Sequence, residues 1–584
     1  MAETIVSPGV FTRENDQSFI TEGPLIAGAA IVGPTAKGPI HNPTIVTSYS
    51  NYKSIFGGSV LSGSQRYNYF TSIAANNYFQ QGGEALLVTR IANSGGGYAS
   101  ATGSILSSSV VGAAEHKVFT LRTLVEGEIA NSSGSLIQDQ VLETGSEDNV
   151  RFEVSGINNS AGTFNLFIRR GNDTISEKVV LEQFLNLSLD PFSPNYLEKV
   201  IGNQKTTLLT DDAGVAYLQL TGSYPNRSRF VSVDSVANTT PNYLDAAGTV
   251  ATDPIRGVSI SSSLPIASSG SFSGGIGTLI NGAKFYSDIT NTNTQGVTAH
   301  DYSSSISLLS NKDLYNYGVL AIPGLIGNFA EGHVTQINAA INNVAENGDA
   351  IFIMDPVEYG TTSTATVTGV ADGFNTSYAA AYWPWVQTQD PETGQRVFVP
   401  ASTFIPGVYA FNDNQRDPWF APAGLQRGAL GGVIRAEKAL TKADRDNLYE
   451  GRINPIATFS NAGVVVFGQK TLQKKASALD RINVRRLLIA LKQFIGGVGR
   501  TLVFENNTAA TRNSFLAQVT PYLESVQQRQ GLFAFKVVMD DTNNTPDIVD
   551  RNQLVGQVFI QPAKTAEFVI LDFTVLPTGV EFPS

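Results

Sequence analysis

The sequence contains no cysteine, so the chain can form no disulfide and no thiolate metal site, and it has no thiol nucleophile. Histidine is also scarce. The four histidines are His41, His116, His300 and His333, and they are scattered along the chain. Because zinc sites are usually built from cysteine and histidine at short spacings, we predict no metal centre.

Long apolar runs are missing as well. No stretch of 18 or more apolar residues occurs, and no signal-peptide core follows Met1. We therefore expect a protein that is made and kept soluble in a cytoplasm, without direct insertion into a membrane.

Charge is sparse and mainly negative, with a net charge of −11. A general nucleic-acid coat needs an excess of lysine and arginine, so this balance argues against nucleic acid as a partner. Only in residues 450–584 do basic side chains slightly outnumber acidic ones, whereas residues 94–449 are acidic. The small basic excess fits ordinary scatter, or a surface that faces an acidic partner.

Two glycine-rich loops, at residues 33–38 and 270–277, do not have the spacing of a nucleotide-binding motif. The first lacks the Gly-x-x-x-x-Gly-Lys-Ser/Thr pattern of a phosphate-binding loop, and the second lacks the glycine spacing of a dinucleotide fingerprint. We therefore predict no cofactor.

What the sequence does contain is enough chain for about four domains, with 584 residues of which 42% are hydrophobic. Its clearest pattern lies in residues 483–576. Apolar residues recur at helical spacing over 484–495 and again over 515–526, which predicts two helices. Pro521 lies inside the second pattern and predicts a kink or a later start.

The same stretch also contains runs that are typical of strands. The predicted strands are residues 502–508, 532–539, 554–561 and 567–576. In the last of them four apolar residues alternate on one face: Val569, Leu571, Phe573 and Val575. Residues 483–576 therefore indicate a compact α+β domain.

Five short motifs follow one another in this domain. They are Asn-Val-Arg-Arg-Leu at 483–487, Phe-Glu-Asn-Asn at 504–507, Val-Val-Met-Asp-Asp-Thr-Asn-Asn at 537–544, Ile-Gln-Pro at 560–562 and Ala-Glu-Phe-Val at 566–569. Their order resembles the C-terminal domain of contractile-tail sheath proteins, which coat the tail tube of myovirus-type phages. The specificity comes from the ordered set, which extends over about a hundred residues.

Further motifs extend the resemblance to most of the chain outside residues 94–300. They are Ser-Pro-Gly-Val at 7–10 with Glu14, Gly-Pro-Thr-x-x-Gly-Pro at 33–39, and Trp-x-Ala-Pro-Ala-Gly at 419–424. The likeness therefore covers roughly residues 1–93 and 301–576.

We predict a multidomain α+β and α/β fold, in which a sheath core (an α/β sheet plus a C-terminal α+β domain) carries an inserted β-rich region. The predicted segments are an N-terminal arm at 1–20, the first part of the core at 21–93, one or two inserted β-rich surface domains at 94–300, the second part of the α/β core at 301–449, the C-terminal α+β domain at 450–576 and a tail at 577–584. The insertion is inferred from a change near residue 94 to chain rich in Ser, Thr, Asn and Gly with short strand-like runs.

Catalysis is the main alternative to a structural role, since the core of the family has been described as subtilisin-like in fold. Asp355 ends a predicted strand, where carboxylates often catalyse, and His333 begins a predicted helix. No Gly-x-Ser-x-Gly or Gly-Thr-Ser nucleophile turn follows. We therefore predict no enzyme and no catalytic residues, and interpret Asp355 with Pro356 as a turn, and His333 as a cap neighbour or a surface residue.

The resemblance implies a structural sheath subunit that polymerises as stacked hexameric rings around the tail tube. Contraction of this helical polymer would drive the tube through the host envelope, powered by a metastable extended lattice. The implied partners are copies of the chain itself, the tail tube protein, and baseplate and tail terminator proteins. The implied location is the virion tail, after assembly in the host bacterial cytoplasm.

The resemblance also implies which residues join subunits, because in the family an N-terminal arm adds a strand to a neighbour and the C-terminal domain receives strands. The residues predicted for strand exchange are Ile5, Val6, Val10, Phe11, Val569, Leu571, Phe573 and Val575. The predicted contacts to tube or neighbour are Arg485, Arg486 and Lys492, for which a solvated helix face is the alternative.

Other interpretations stay open at this point. The N-terminal segment could be a frayed terminus or a strand of its own domain. The chain could be the sheath of a phage-tail-like bacteriocin or contractile injection system. From another class, it could be an α/β hydrolase, or a carbohydrate-binding protein acting through residues 94–300.

Overall fold

A computed structural model describes residues 27–62, 65–93, 97–107, 117–132, 136–252, 259–277, 289–330 and 332–567. Its centre is an eight-stranded, mainly parallel sheet that is assembled from chain on both sides of the insertion. The predicted fold class, a multidomain α/β and α+β chain with an inserted β-rich region, is confirmed.

The first part of the core supplies three strands of this sheet and two helices. Its elements are β1 (Ala29–Pro34), β2 (Thr44–Val46), α1 (Tyr49–Phe56), β3 (Val60–Ser62), β4 (Gln65–Tyr67), α2 (Phe70–Gln80) and β5 (Leu86–Ile91). All residues of β1 and β5 are buried. Such continuous apolar runs are typical of parallel strands that are covered on both faces.

The insertion follows β5 and is built mainly of strands. Its elements are β6 (Ser100–Leu106), β7 (Lys117–Glu126), β8 (Val150–Asn158), β9 (Thr163–Arg170), β10 (Val180–Ser188), α3 (Leu197–Ile201), β11 (Lys205–Thr210), β12 (Ala216–Thr221), β13 (Val231–Val236) and β14 (Ser268–Gly270). The sheets β13-β7-β6 and β10-β9-β8-β14 share one apolar core, and β11 and β12 form a separate hairpin.

The second part of the core completes the central sheet. Its elements are α4 (Ser303–Leu308), β15 (Val319–Ile326), α5 (His333–Asn347), β16 (Ile351–Asp355), α6 (Thr364–Ala371), β17 (Ala379–Trp383), β18 (Val386–Gln389), β19 (Arg396–Val399), α7 (Ile405–Gln415), β20 (Val433–Ala436), α8 (Lys442–Glu450), β21 (Ile453–Phe459) and β22 (Gly463–Val466). β18 and β19 pair antiparallel and are joined by a turn at residues 390–395.

The strand order of the central sheet is β2-β5-β1-β15-β16-β17-β21-β22. The strands from β5 to β21 in this order are parallel, and the two outermost strands are antiparallel to their neighbours. The insertion separates β1 from β15 in sequence, so the parallel pairing of these two strands joins both parts of the core in one sheet. One face packs against α1, α2 and α7, and the other against α5, α6 and α8.

Arg90, at the end of β5, holds the insertion against the core. Its Nη1 donates to the carbonyl oxygens of Gly38 in the core, at 2.5 Å, and of Glu126 in the insertion, at 2.7 Å. The Glu126 carboxylate accepts from the backbone N–H of Ile40 at 2.8 Å, and Lys37 forms an ion pair with Asp148 at 2.9 Å. Because Arg90 is buried, the insertion is bonded to the core at its root.

The C-terminal domain packs two long helices on a small sheet. Its elements are α9 (Ile482–Arg500), α10 (Ala509–Gln528), β23 (Leu532–Val538), α11 (Pro546–Asp550) and β24 (Gln557–Pro562). The predicted strand at 502–508 is wrong, because residues 502–505 form turns after α9, which continues to Arg500. α10 begins at Ala509 and contains Pro521, so of the two outcomes predicted for this proline the later start is wrong and the kink stays a prediction.

The predicted start of this domain at residue 450 is too early. β21 pairs with β17 in the central sheet, and β22 pairs with β21, so residues up to 466 complete the preceding domain.

In the described ranges, no helix has both the length and the apolar character needed to cross a membrane.

Candidate assembly surface

The sheet of the C-terminal domain has two strands within the described residues. β23 and β24 pair antiparallel with Phe535 opposite Ile560 and Val537 opposite Val558. These four side chains pack toward the domain core but are only partly buried. A pair of strands needs a further strand or a helix against its apolar face, and here α9 and α10 cover that face in part.

The other face of this sheet and the loop after α9 expose large apolar side chains. Phe533 is 77% exposed and Phe559 is 55% exposed. Phe504 is fully exposed and has a left-handed backbone (φ 73°), and its neighbour Val503 is also exposed. Within the described residues the outer edges of β23 and β24 have no strand partner, and exposed aromatic residues beside such edges are typical of a surface that pairs with another chain.

Two arginines of α9 join the C-terminal domain to the second part of the core. Both terminal nitrogens of Arg486 donate to the carboxylate of Asp413, with Nη1 2.9 Å from Oδ1, and the guanidinium lies 4.4 Å from the ring centre of Tyr409. Arg485 donates to the hydroxyl of Ser377 and lies 4.0 Å from the ring centre of Tyr378. The joint therefore consists of enclosed cations that are paired with a carboxylate and with aromatic faces.

A further ion pair holds Glu567, the last described residue, against the start of α9. The Glu567 carboxylate accepts from Arg481 Nε at 2.6 Å and Nη2 at 2.9 Å, and from Gln469 Nε2 at 2.9 Å. This bidentate contact ties the root of the predicted terminal strand to the start of α9.

The predicted residues of strand exchange all lie outside the described residues, at 5–11 and 569–575. Arg485 and Arg486 are 4% and 7% exposed, so the alternative of a solvated helix face is wrong for both. Lys492 is exposed, and its Nζ donates to the Tyr378 hydroxyl at 3.2 Å. A contact of these three side chains with tube or neighbour stays a prediction.

Sequence reasoning missed the partners that enclose the arginines. Asp413, Tyr409 and Tyr378 come from α7 and from the chain just before β17, far from α9 in sequence. A signal was available in the two adjacent arginines at 485 and 486, because a cation next to the apolar stripe of a helix requires a partner when the helix is buried.

The second candidate for a site, Asp355, is buried at the end of β16. Its carboxylate accepts from the backbone N–H of Ser402 at 3.0 Å and from the Ser402 hydroxyl at 2.5 Å. A Ser–His–Asp relay needs an imidazole between the serine and the carboxylate. Here the carboxylate bonds the serine directly, so the contact ties β16 to the turn before α7.

His333 is fully buried, so its interpretation as a surface residue is wrong. Its Nδ1 accepts from the backbone N–H of Ile326 at 3.1 Å, which leaves that nitrogen unavailable as a base. Burial lowers the pKa of His333 to about 4. The imidazole is therefore neutral near pH 7 and connects β15 to the start of α5.

We expect Asp355→Asn to remove a pH-dependent loss of stability. Burial raises the pKa of the Asp355 carboxyl from 3.8 to about 7, although both bonds from Ser402 oppose the shift. Between these two values the folded chain holds a proton that the unfolded chain has released. The stabilisation is therefore complete below the unfolded pKa and is lost as the pH rises through the folded pKa.

From pH 5 to pH 7 this group should lower the free energy of unfolding of the parent chain by roughly 2–3 kcal/mol. Urea unfolding at both pH values measures the difference, and Asp446→Asn, at an exposed carboxyl on α8, is the control. Equal pH slopes for the parent and Asp355→Asn would contradict the expectation.

Comparison with protein families gives two matches, which together span the second part of the core and the C-terminal domain. The phage tail sheath protein central domain matches residues 295–472, and the phage tail sheath C-terminal domain matches residues 474–575. The boundary between them lies after β22, in agreement with the sheet membership of β21 and β22.

Relatives and solved structures agree with these matches. The tail sheath protein of Vibrio phage KVP40 is 38% identical over 215 residues, which are 36% of this chain and 32% of the relative. That of Enterobacteria phage T4 is 40% identical over 185 residues, 32% of this chain and 28% of the relative. The chain thus spans about a third of the length of these curated relatives.

The crystal structure of the sheath tail protein from Listeria innocua superposes on 92% of this chain and 96% of its own, with a TM-score of 0.51 and 10% identity. At that identity the likeness is one of fold alone.

Proposed function

We propose that this chain, which belongs to the phage tail sheath family through its central and C-terminal domains, is the sheath subunit of a contractile tail. Copies of the chain stack as hexameric rings around a tail tube and form a helical polymer. The polymer contracts and drives the tube through the host envelope, and the subunit acts as a structural element rather than as an enzyme.

The observation that carries the proposal is the sheet of the C-terminal domain, which has two strands in the described part of the chain, a half-buried inner face and exposed aromatic residues. Strands donated by other copies complete this sheet. Residues 5–11 of one neighbour add a strand at one end of the chain, and residues 569–575 are the strand that takes part in the exchange at the other end. Each added backbone hydrogen bond contributes about 0.5–1.5 kcal/mol net, so a strand pairing contributes several kcal/mol in total.

The buried joints support a subunit that moves as one piece during contraction. Arg486 with Asp413 holds the C-terminal domain to the core, and Arg90 holds the insertion. The strand-exchange contacts then act as hinges while the cores approach one another, and the energy comes from a metastable extended lattice. Of the three residues predicted to contact the tube, Lys492 is the exposed one, so its charge is accessible to a partner.

The remaining partners and the location follow from the same proposal. The tail tube protein lies inside the polymer, and baseplate and tail terminator proteins lie at its ends. The site of action is the phage virion, after assembly in the host bacterial cytoplasm.

Negative-stain electron microscopy of the purified chain tests this function. The expected result is tubes of stacked rings, whose length grows with protein concentration. Monodisperse particles that hydrolyse ester or peptide substrates would instead favour the α/β hydrolase and overturn the sheath.

A further inference from the structure

The insertion contains a cavity of about 270 Å³ beside the sheet β10-β9-β8-β14. Its charged lining consists of Arg151 and Glu153 from β8, Arg169 from β9, and Lys178 just before β10. This volume is near the lower end of small-molecule pockets, which span about 300–1,000 Å³. A ligand of the cavity is therefore small.

Arg151 and Arg169 stand directly opposite each other on the paired strands β8 and β9. Like charges at opposed positions of a sheet repel, and both side chains are almost fully buried, at 2% and 3% exposure. Burial, and then the charge of Arg169, lower the pKa of Arg151. Such a pair persists only if anions offset it.

Carboxylates in the described part of the insertion offset this charge only in part. Asp173 accepts from Arg169 Nε at 2.7 Å and Nη2 at 2.9 Å, and lies 3.5 Å from Arg151 Nη1. Glu153 accepts from Arg169 at 2.6 Å and from Lys178 at 2.9 Å. Among the residues that the structure describes, three cations thus face two carboxylates, which leaves the cluster with one positive charge in excess.

One donor of the cluster also has no partner within the described residues. Arg151 Nη1 donates to the carbonyl oxygen of Gln140 at 2.9 Å, but its buried Nε makes no hydrogen bond. A buried guanidinium N–H without an acceptor is costly, which favours an acceptor brought by a ligand.

The rest of the lining offers neutral polar groups and a small apolar patch. The neutral polar residues are Gln140, Ser155, Ser268 and Ser269, and the apolar ones are Val154, Ile175 and Ala267. Hydroxyl and amide groups recognise hydroxyl groups of a ligand, and a short apolar patch packs against C–H faces.

We propose that this cavity binds a small organic anion that carries hydroxyl groups, namely the carboxylate-bearing ring of an acidic sugar. The carboxylate lies against Arg151 and Lys178 and supplies the missing negative charge, while the ring hydroxyls contact the serines and Gln140. The cavity lies in the insertion, and none of its lining residues belongs to the C-terminal domain.

Ligand-observed NMR on the full-length chain, with sodium glucuronate as the probe, tests the site. Glucose carries hydroxyl groups without the charge, and acetate carries the charge without hydroxyl groups. The expected result is saturable binding of glucuronate that exceeds both comparators. Absence of saturable binding, or equal binding of glucose or of acetate, would overturn the proposal.

The matched variants are Lys178→Gln and Lys205→Gln. Lys178 is 41% exposed, so its replacement should fold normally while it removes the excess charge; Lys205 is exposed on the hairpin of the same insertion. Loss of a charge-assisted contact should weaken glucuronate binding about tenfold in Lys178→Gln, and Lys205→Gln should bind as the parent does. Unchanged binding in Lys178→Gln would contradict the assignment.

Discussion

Replacement of Arg486 by methionine is expected to lower the free energy of unfolding of the C-terminal domain by about 3 kcal/mol. Methionine fills much of the space of the arginine stem, but leaves the Asp413 carboxylate without its cation. Removal of one partner from a buried ion pair costs about 3–5 kcal/mol, and the lower figure applies because the Asp413 side chain is 31% exposed.

Hydrogen exchange of the α9 backbone, combined with urea unfolding, measures this loss. Protection of α9 should fall by about a hundredfold, since about 1.4 kcal/mol corresponds to a factor of ten. Lys492→Met on the same helix is the matched control, because this lysine is exposed and should change stability by less than about 0.5 kcal/mol. Equal protection in both variants would show that the ion pair does not hold the joint.

Deletion of residues 1–14 is expected to abolish polymerisation and leave the fold of the monomer intact. The deleted segment lies outside the described residues and contains the proposed donor strand at 5–11. An assembly that depends on repeated strand pairing loses several kcal/mol at every contact when the donor is removed, so tubes should disappear rather than shorten.

Electron microscopy counts tubes, and circular dichroism with thermal unfolding reports the fold of the truncated chain. Deletion of the predicted tail, residues 577–584, is the matched control and should still give tubes. Normal tubes from the chain without residues 1–14 would rule out the donor role of the arm.

The fold class could be predicted from the sequence because its signals are local or ordered along the chain. β1, β5, β15 and β16 are buried along their whole length, a property that is visible in the sequence as short runs of mainly apolar residues. The order of motifs from residue 483 onward indicates the sheath C-terminal domain. These elements need no information about distant partners.

The errors arise where a distant partner decides the outcome. Residues 502–505 have strand-type side chains but no strand beside them, so they turn. Arg485 and Arg486 lie beside the apolar stripe of α9. Their burial is favourable because the second part of the core supplies their partners, which are Tyr378, Tyr409 and Asp413. Periodicity describes one helix and cannot show what covers it.

The start of the C-terminal domain was misplaced for the same reason. β21 contains Pro455, which argues against a sheet interior, yet this residue pairs with Trp383 of β17 near the end of the parallel pairing. Nothing local in residues 453–466 shows that they belong to the central sheet.

The most direct test of the account is a cryo-electron microscopy reconstruction of the assembled polymer at a resolution that traces both chain ends. The account predicts that residues 5–11 of one copy lie as a strand in a sheet with β23 and β24 of another copy. Both ends folded back on their own subunit, without contact to a second chain, would contradict it.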